Sequence, residues 1–214
     1  MERSGAINLS GESRPHLTPW DIRGFDPPPP HKLIINNMTK SYIIDPETGK
    51  LLSAQEWKDK MGDKVNEAKM VAIVPEDGTP FAFPVETIGR DFWKEAMAKA
   101  AAFKAPHAIE GSDGTFTLPT RKQGIDFRAA REAGLEQLLE MIGADALLKE
   151  LRDTWSWTCE EHIPAGTSEA RWSCVRSSSG GAWHYSGYGM SSSDGVADDQ
   201  FTVRPVTLLK NLNL

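Results

Sequence analysis

Apolar residues between positions 31 and 83 come in short runs, often β-branched or aromatic, broken by polar turns. Runs at 32–35, 41–44, 51–52, 70–74 and 81–83 predict strands, since brief apolar stretches bounded by turn formers suit a strand better than a helix. Asn36 and Asn37 mark one turn, the segment from Asp45 to Gly49 another, and the segment from Glu76 to Pro80 a hairpin-type return. Ser53 followed by Glu56 forms a capping-box pattern. It predicts a helix that starts near Gln55 and runs to about Lys60 before Gly62 interrupts it.

From residue 90 the spacing becomes helical. Phe92, Trp93, Ala96, Met97 and Ala100 share one stripe and predict a helix over 90–103. Phe127, Ala130, Leu135, Leu138, Leu139 and Ile142 predict a second over 125–142, with Gly143 as its stop. Asp145 is placed to cap a third, short helix through Leu151. Beyond Asp153 the helical pattern ends, and Gly, Ser and aromatic residues follow in short stretches. Strands, then helices, then strands joined by long loops define an α+β fold.

The ends refine the organisation. Residues 1–30 are rich in Gly, Ser and Pro, and the four prolines at 27–30 impose a polyproline segment, so an extended arm is expected there. Residues 31–60 then form short strands and a linker, and 61–210 the main domain. An arm of this composition folds only against a partner, which suggests docking into a larger assembly. The net charge of −6 argues against nucleic-acid binding, which needs a basic face. Apolar runs fall short of the roughly 18 residues of a membrane span, and the first residues carry neither a secretion nor a lipidation pattern.

The last third holds the candidate chemistry. Trp155, Trp157, Trp172 and Trp183 are four of the seven tryptophans, and Tyr185 and Tyr188 two of the three tyrosines. They are interleaved with the serine runs 177–179 and 191–193. Amphipathic rings mixed with small polar residues suit a recognition surface, because rings give contact area at low entropic cost. Arg176, Ser177, Ser178, Trp183, His184, Tyr185, Tyr188, Ser191 and Ser192 are the candidate ligand-binding residues. The competing reading is a β-rich core with buried tryptophans.

Leu118-Pro119-Thr120 ahead of a helix, Ile142-Gly143 closing it, the Trp157-Thr158-Cys159-Glu160 segment and the terminal Val203-Arg204-Pro205-Val206 together resemble the bacterial and phage branch of the C-type lectin fold. This branch is related to formylglycine-generating enzymes and includes variable proteins diversified by retroelements. The resemblance covers about 69–207. It implies two helices flanking a small antiparallel sheet with long loops, and a ligand surface just ahead of the closing Arg204-Pro205-Val206. It also implies that Arg204 and Trp157 are scaffold residues, with Glu160 as the carboxylate partner that a buried arginine needs.

Enzymatic carry-over is not expected, because the oxidase branch relies on an active-site cysteine pair and Cys159 and Cys174 lie in no matching motif. Those two cysteines leave a disulfide open. Cys159 and His162 make half of a zinc pattern, and Asp194, Asp198 and Asp199 suit a solvated turn better than a calcium loop. No metal or cofactor is expected. The expected function is a non-enzymatic module that binds a cell-surface receptor or glycan, displayed on a phage particle or a bacterial surface. A homotrimer anchored to other virion proteins through the arm is the expected assembly. A structural decoration or cement protein is the alternative.

Overall fold

The computed structural model describes residues 39–162, 171–176, 187–189 and 200–212, with 161–162, 171–176 and 187–189 known by their backbone pairing alone. The predicted arm at 1–30 and the predicted strand at 32–35 lie outside the described residues.

Among the described residues, two five-stranded sheets and five α-helices make up the fold, which is mixed α+β. The first sheet has the order β10–β4–β3–β1–β2, built from β1 (Lys40–Ile44), β2 (Leu51–Leu52), β3 (Met70–Val74), β4 (Phe81–Pro84) and β10 (Thr207–Leu208), all paired antiparallel. The unbroken apolar run of β3 has a direct cause: the strand is covered on both faces. Val71 and Ile73 join one core with Ile43, Phe81 and Phe83, while Met70 and Ala72 join another with Ile44 and Ala82. Between β1 and β2, the Asp45 carboxylate accepts from the Glu47 amide, the Thr48 hydroxyl and the Lys60 ammonium, the last at 2.7 Å. Gly49 sits at φ +73°, where a side chain would strain the backbone and meet the Ala108 carbonyl at 3.0 Å.

Helix α1 (Ala54–Met61) begins as predicted. Ser53 Oγ accepts from the Glu56 amide, and Glu56 Oε2 accepts from the Ser53 amide at 2.7 Å. Gly62, at φ +55°, ends the helix and leads into a 3₁₀ segment (Gly62–Glu67) that the apolar spacing does not announce. Trp57 is fully buried, and its indole donates to the Val65 carbonyl.

The long helical stretch differs instructively from expectation. It starts at Arg121, four residues early, because Thr120 and Gln123 form a second capping box. Ile125, its expected first residue, is 41% exposed. The stretch runs as α3 (Arg121–Ala130), a π segment (Arg131–Leu135) and α4 (Glu136–Met141). The apolar stripe explains the π turn. Ala130 and Leu135 are five apart, one more than an α turn allows, and Gly134 absorbs the extra residue at φ +114°. Leu135, Leu138 and Leu139 thereby return to the face that carries Phe127. Gly143 closes the stretch at φ +68°. In α5 (Asp145–Asp153), Ala144 occupies the cap position and makes no side-chain bond. Asp145 is therefore the first helical residue rather than the cap. Its charge still suits the positive end of the helix dipole.

The second sheet has the order β5–β9–β6–β7–β8, with β5 (Arg90–Asp91), β6 (Trp155–His162), β7 (Arg171–Arg176), β8 (Gly187–Gly189) and β9 (Phe201–Thr202). Pairing is antiparallel except for one parallel bridge between Ser156 and Thr202. Two sheets thus replace the single small antiparallel sheet expected. Helix α2 (Trp93–Ala102) starts after residues 90–91, because those two residues pair with Thr202 and Phe201 in β5.

Candidate ligand-binding face

β6 supplies the rigid base of the candidate site. Trp157 is 2% exposed and its neighbour Thr158 fully buried, and successive residues of a strand point to opposite faces. The strand is therefore covered on both sides at this point. Trp157 packs with Ala96 and Ala100 of α2, Leu118 and Val203, and meets Phe201 edge-on at 4.6 Å between ring centroids. Its indole donates to the Asp91 carbonyl at 2.8 Å, and the Trp93 indole donates to the Thr158 carbonyl at 2.9 Å. Two tryptophans thus fasten β5, α2 and β6 together.

The closing segment 203–206 carries the chain from one sheet to the other. Val203 donates its amide to the Gly89 carbonyl, and Val206 exchanges two backbone bonds with Thr117. Arg204, 3% exposed, lies between them and donates to Glu150 Oε1 of α5 at 2.5 Å. Its guanidinium also stands 5.9 Å from the Phe127 ring centroid. The expected partner, Glu160, is occupied elsewhere: its carboxylate accepts from the Arg121 amide at the start of α3, at 3.2 Å. Glu150 was hidden in the sequence because it belongs to the polar spacing of an amphipathic helix. Burial pushes its carboxyl above the usual range, against the pull of Arg204 and Arg90. Thr154 links the same helix to β9 through the Thr202 hydroxyl at 2.9 Å.

Two of the nine candidate ligand-binding residues lie on described strands. Arg176 ends β7 opposite Trp155, and Tyr188 is the central residue of β8, opposite Trp172. Ser177, Ser178, Trp183, His184, Tyr185, Ser191 and Ser192 lie outside the described residues, as do Asp194, Asp198 and Asp199. Trp155 is half-buried and tilted against Phe201 at 6.4 Å. Register thus puts an aromatic residue opposite each of the two candidates that fall on strands.

Cys159 is a free, half-buried thiol raised by burial and by the nearby Glu160 charge. Cys174 stands opposite Trp157, so the strand register sets the two cysteines at different levels. Among the described residues, no group of three His, Cys, Asp or Glu side chains is placed to hold a metal ion. No helix there is long and apolar enough to cross a membrane. Comparison with protein-family models, curated proteins and solved structures finds no match to this chain.

Proposed function

We propose that the protein is a non-enzymatic binding module of C-type-lectin-like design. In this reading the outer part of the second sheet and the segments flanking β8 contact a cell-surface receptor or glycan. The module is displayed on a phage particle as a homotrimer, with residues 1–30 as its anchor to other virion proteins.

The observation that supports this most is the contrast across the second sheet. β6 is buried on both faces at Trp157 and Thr158 and pinned by Trp157 and Trp93, whereas β8, with the sequence Gly187-Tyr188-Gly189, is the sheet's edge among the described strands. A recognition surface benefits from such a base, because binding residues held by a rigid scaffold lose less entropy on association. The stretch from Arg171 to Ser193, which includes β7 and β8, is rich in Trp, Tyr, Ser and Gly. Binding hot spots favour Trp, Tyr and Arg, so Trp183, Tyr185, Tyr188 and Arg176 carry most of the affinity in this reading.

Replacing Tyr185 and Tyr188 together with Ala tests it. Adsorption to host cells should weaken by about 2 kcal/mol or more, while the thermal unfolding transition stays within a few degrees of the parent. Unchanged adsorption by a folded variant would move the function to structural decoration. An unfolded variant would make the two rings core residues.

A further inference from the structure

A cleft of about 250 Å³ opens on the first sheet's side of the molecule, where β3 begins, β4 ends and the helical segments α2 and α4 terminate. None of its lining residues belongs to the second sheet. Its floor is apolar: Ile142 is buried, and Val85 and Phe103 are half-buried. Its rim is charged and exposed, formed by Lys69, Lys104 and Glu86, with Asn66 beside them. Among the described residues these three charges form no ion pair, whereas Lys60, Lys99, Lys122 and Lys210 each hold a carboxylate.

Each wall makes a chemical demand. Two ammonium groups against one carboxylate leave the rim net positive, which favours a ligand carboxylate through charge-assisted hydrogen bonds. The Glu86 carboxylate and the Asn66 amide oxygen are acceptors. The ligand must therefore also present donors. The floor takes a face of C–H groups. The volume lies below the roughly 300–1,000 Å³ of drug-sized sites, so the occupant has the size of one sugar ring.

We propose that this cleft binds a uronic acid residue, a hydroxylated ring that carries a carboxylate, as found in acidic polysaccharides. A neutral hexose leaves both lysines unanswered. A short fatty acid leaves Glu86 and Asn66 unanswered, and a small amino acid leaves the apolar floor uncovered. The site stands apart from β6–β8 and holds whether or not that face binds a receptor.

The test uses the full chain, isotopically labelled, titrated with sodium glucuronate while amide resonances are followed by NMR. Saturable shifts are expected at Lys69, Val85, Lys104 and Gly143, with β6 amides unmoved. Lys69→Gln/Lys104→Gln should weaken binding about tenfold or more, and the variant's own spectrum reports that it remains folded. Glucose, acetate and serine serve as the neutral, charge-only and zwitterionic probes, each expected to bind more weakly than glucuronate. The proposal is overturned if glucuronate produces no saturable shift, if any of the three probes matches it, or if the double variant binds as well as the parent.

Discussion

The two sheets have the same number of described strands and are held in opposite ways. The first is a hydrocarbon sandwich. Ile43, Val71, Ile73, Phe81 and Phe83 face the helices α1 and α3–α5, and Phe83 and Phe81 meet Phe127 edge-on at 4.8 and 5.2 Å. On its other face Met70, Ala72 and Ala82 pack under Phe103, Phe116 and Leu209. Among the described residues, the second sheet has a smaller apolar cluster around Trp157 and is tied by directed bonds: two indole N–H groups on carbonyls, the hydroxyl pair Thr154–Thr202, and the buried ion pair Arg204–Glu150. Apolar burial is roughly proportional to area and indifferent to direction, whereas buried polar pairs fix one geometry and penalise others. Among the described residues, the first sheet carries the larger apolar core. The second supplies position.

Truncation separates the two modes most sharply. Phe83→Ala, at a fully buried site, should cost about 4 kcal/mol in urea unfolding, the largest single effect expected. An undiminished midpoint would show that the first sheet's core is not the dominant source of stability. Arg204→Met should cost about 3 kcal/mol, because it removes the guanidinium bonded directly to the buried Glu150 carboxylate and leaves only the more distant Arg90. Arg204→Met combined with Glu150→Leu should recover most of that loss, since replacing both partners by apolar residues is often nearly neutral. If the double variant is as unstable as the single one, geometry rather than charge is what the pair contributes.

The smallest effect concerns acid. Glu150 and Asp126 are held above the ordinary carboxylate range, in both cases chiefly by burial, so the native chain takes up these protons before the unfolded chain does. Between the ordinary value and the raised one, acidification therefore adds stability from these two groups. Glu136 moves the other way: Arg152 holds its carboxyl down, with Arg131 assisting against the effect of burial. For Asp45 burial pushes upward, but Lys60, Thr48 and the Glu47 amide outweigh it. Thr115 and Lys210 bring Asp113 to about 2. The stability these three contribute is present above the unfolded-state value and lost as pH falls through their lowered ones. Unfolding free energy should therefore hold or rise from neutral pH down to about 5 and decline below about 4. Glu150→Gln should flatten the first part of that curve and leave the acid decline in place. A variant curve that keeps the full early rise would clear Glu150 of the role.

The first sheet was far more legible in the sequence than the second, for physical reasons. β1, β3, β4 and α1 follow from short-range signals, the capping box of Ser53 and Glu56 included. The strands β5, β9 and β10 have two residues each, too few to display any period, and they exist because remote partners pair with them. α2 was read three residues too long at its start for that reason. The π turn was present as the five-residue step from Ala130 to Leu135, a spacing that α-helical templates do not register. Arg204 was legible as a buried scaffold residue, but its partner was not, since nothing local distinguishes Glu150 on α5 from Glu160 on β6. Of the candidate binding face, the register of Arg176 and Tyr188 is what the fold adds.

The pairing of β10 with β4 sets Thr207 opposite Ala82, so neighbouring strands of one sheet enclose the whole stretch from 83 to 206. In polymer terms that stretch is a closed loop, and the entropy of closing a loop grows only with the logarithm of its length. Doubling it costs about 0.6 kcal/mol. Insertions or deletions between β7 and β9, well inside the enclosed stretch, therefore burden the clasp very little. The chain can change length there without renegotiating how its first sheet closes.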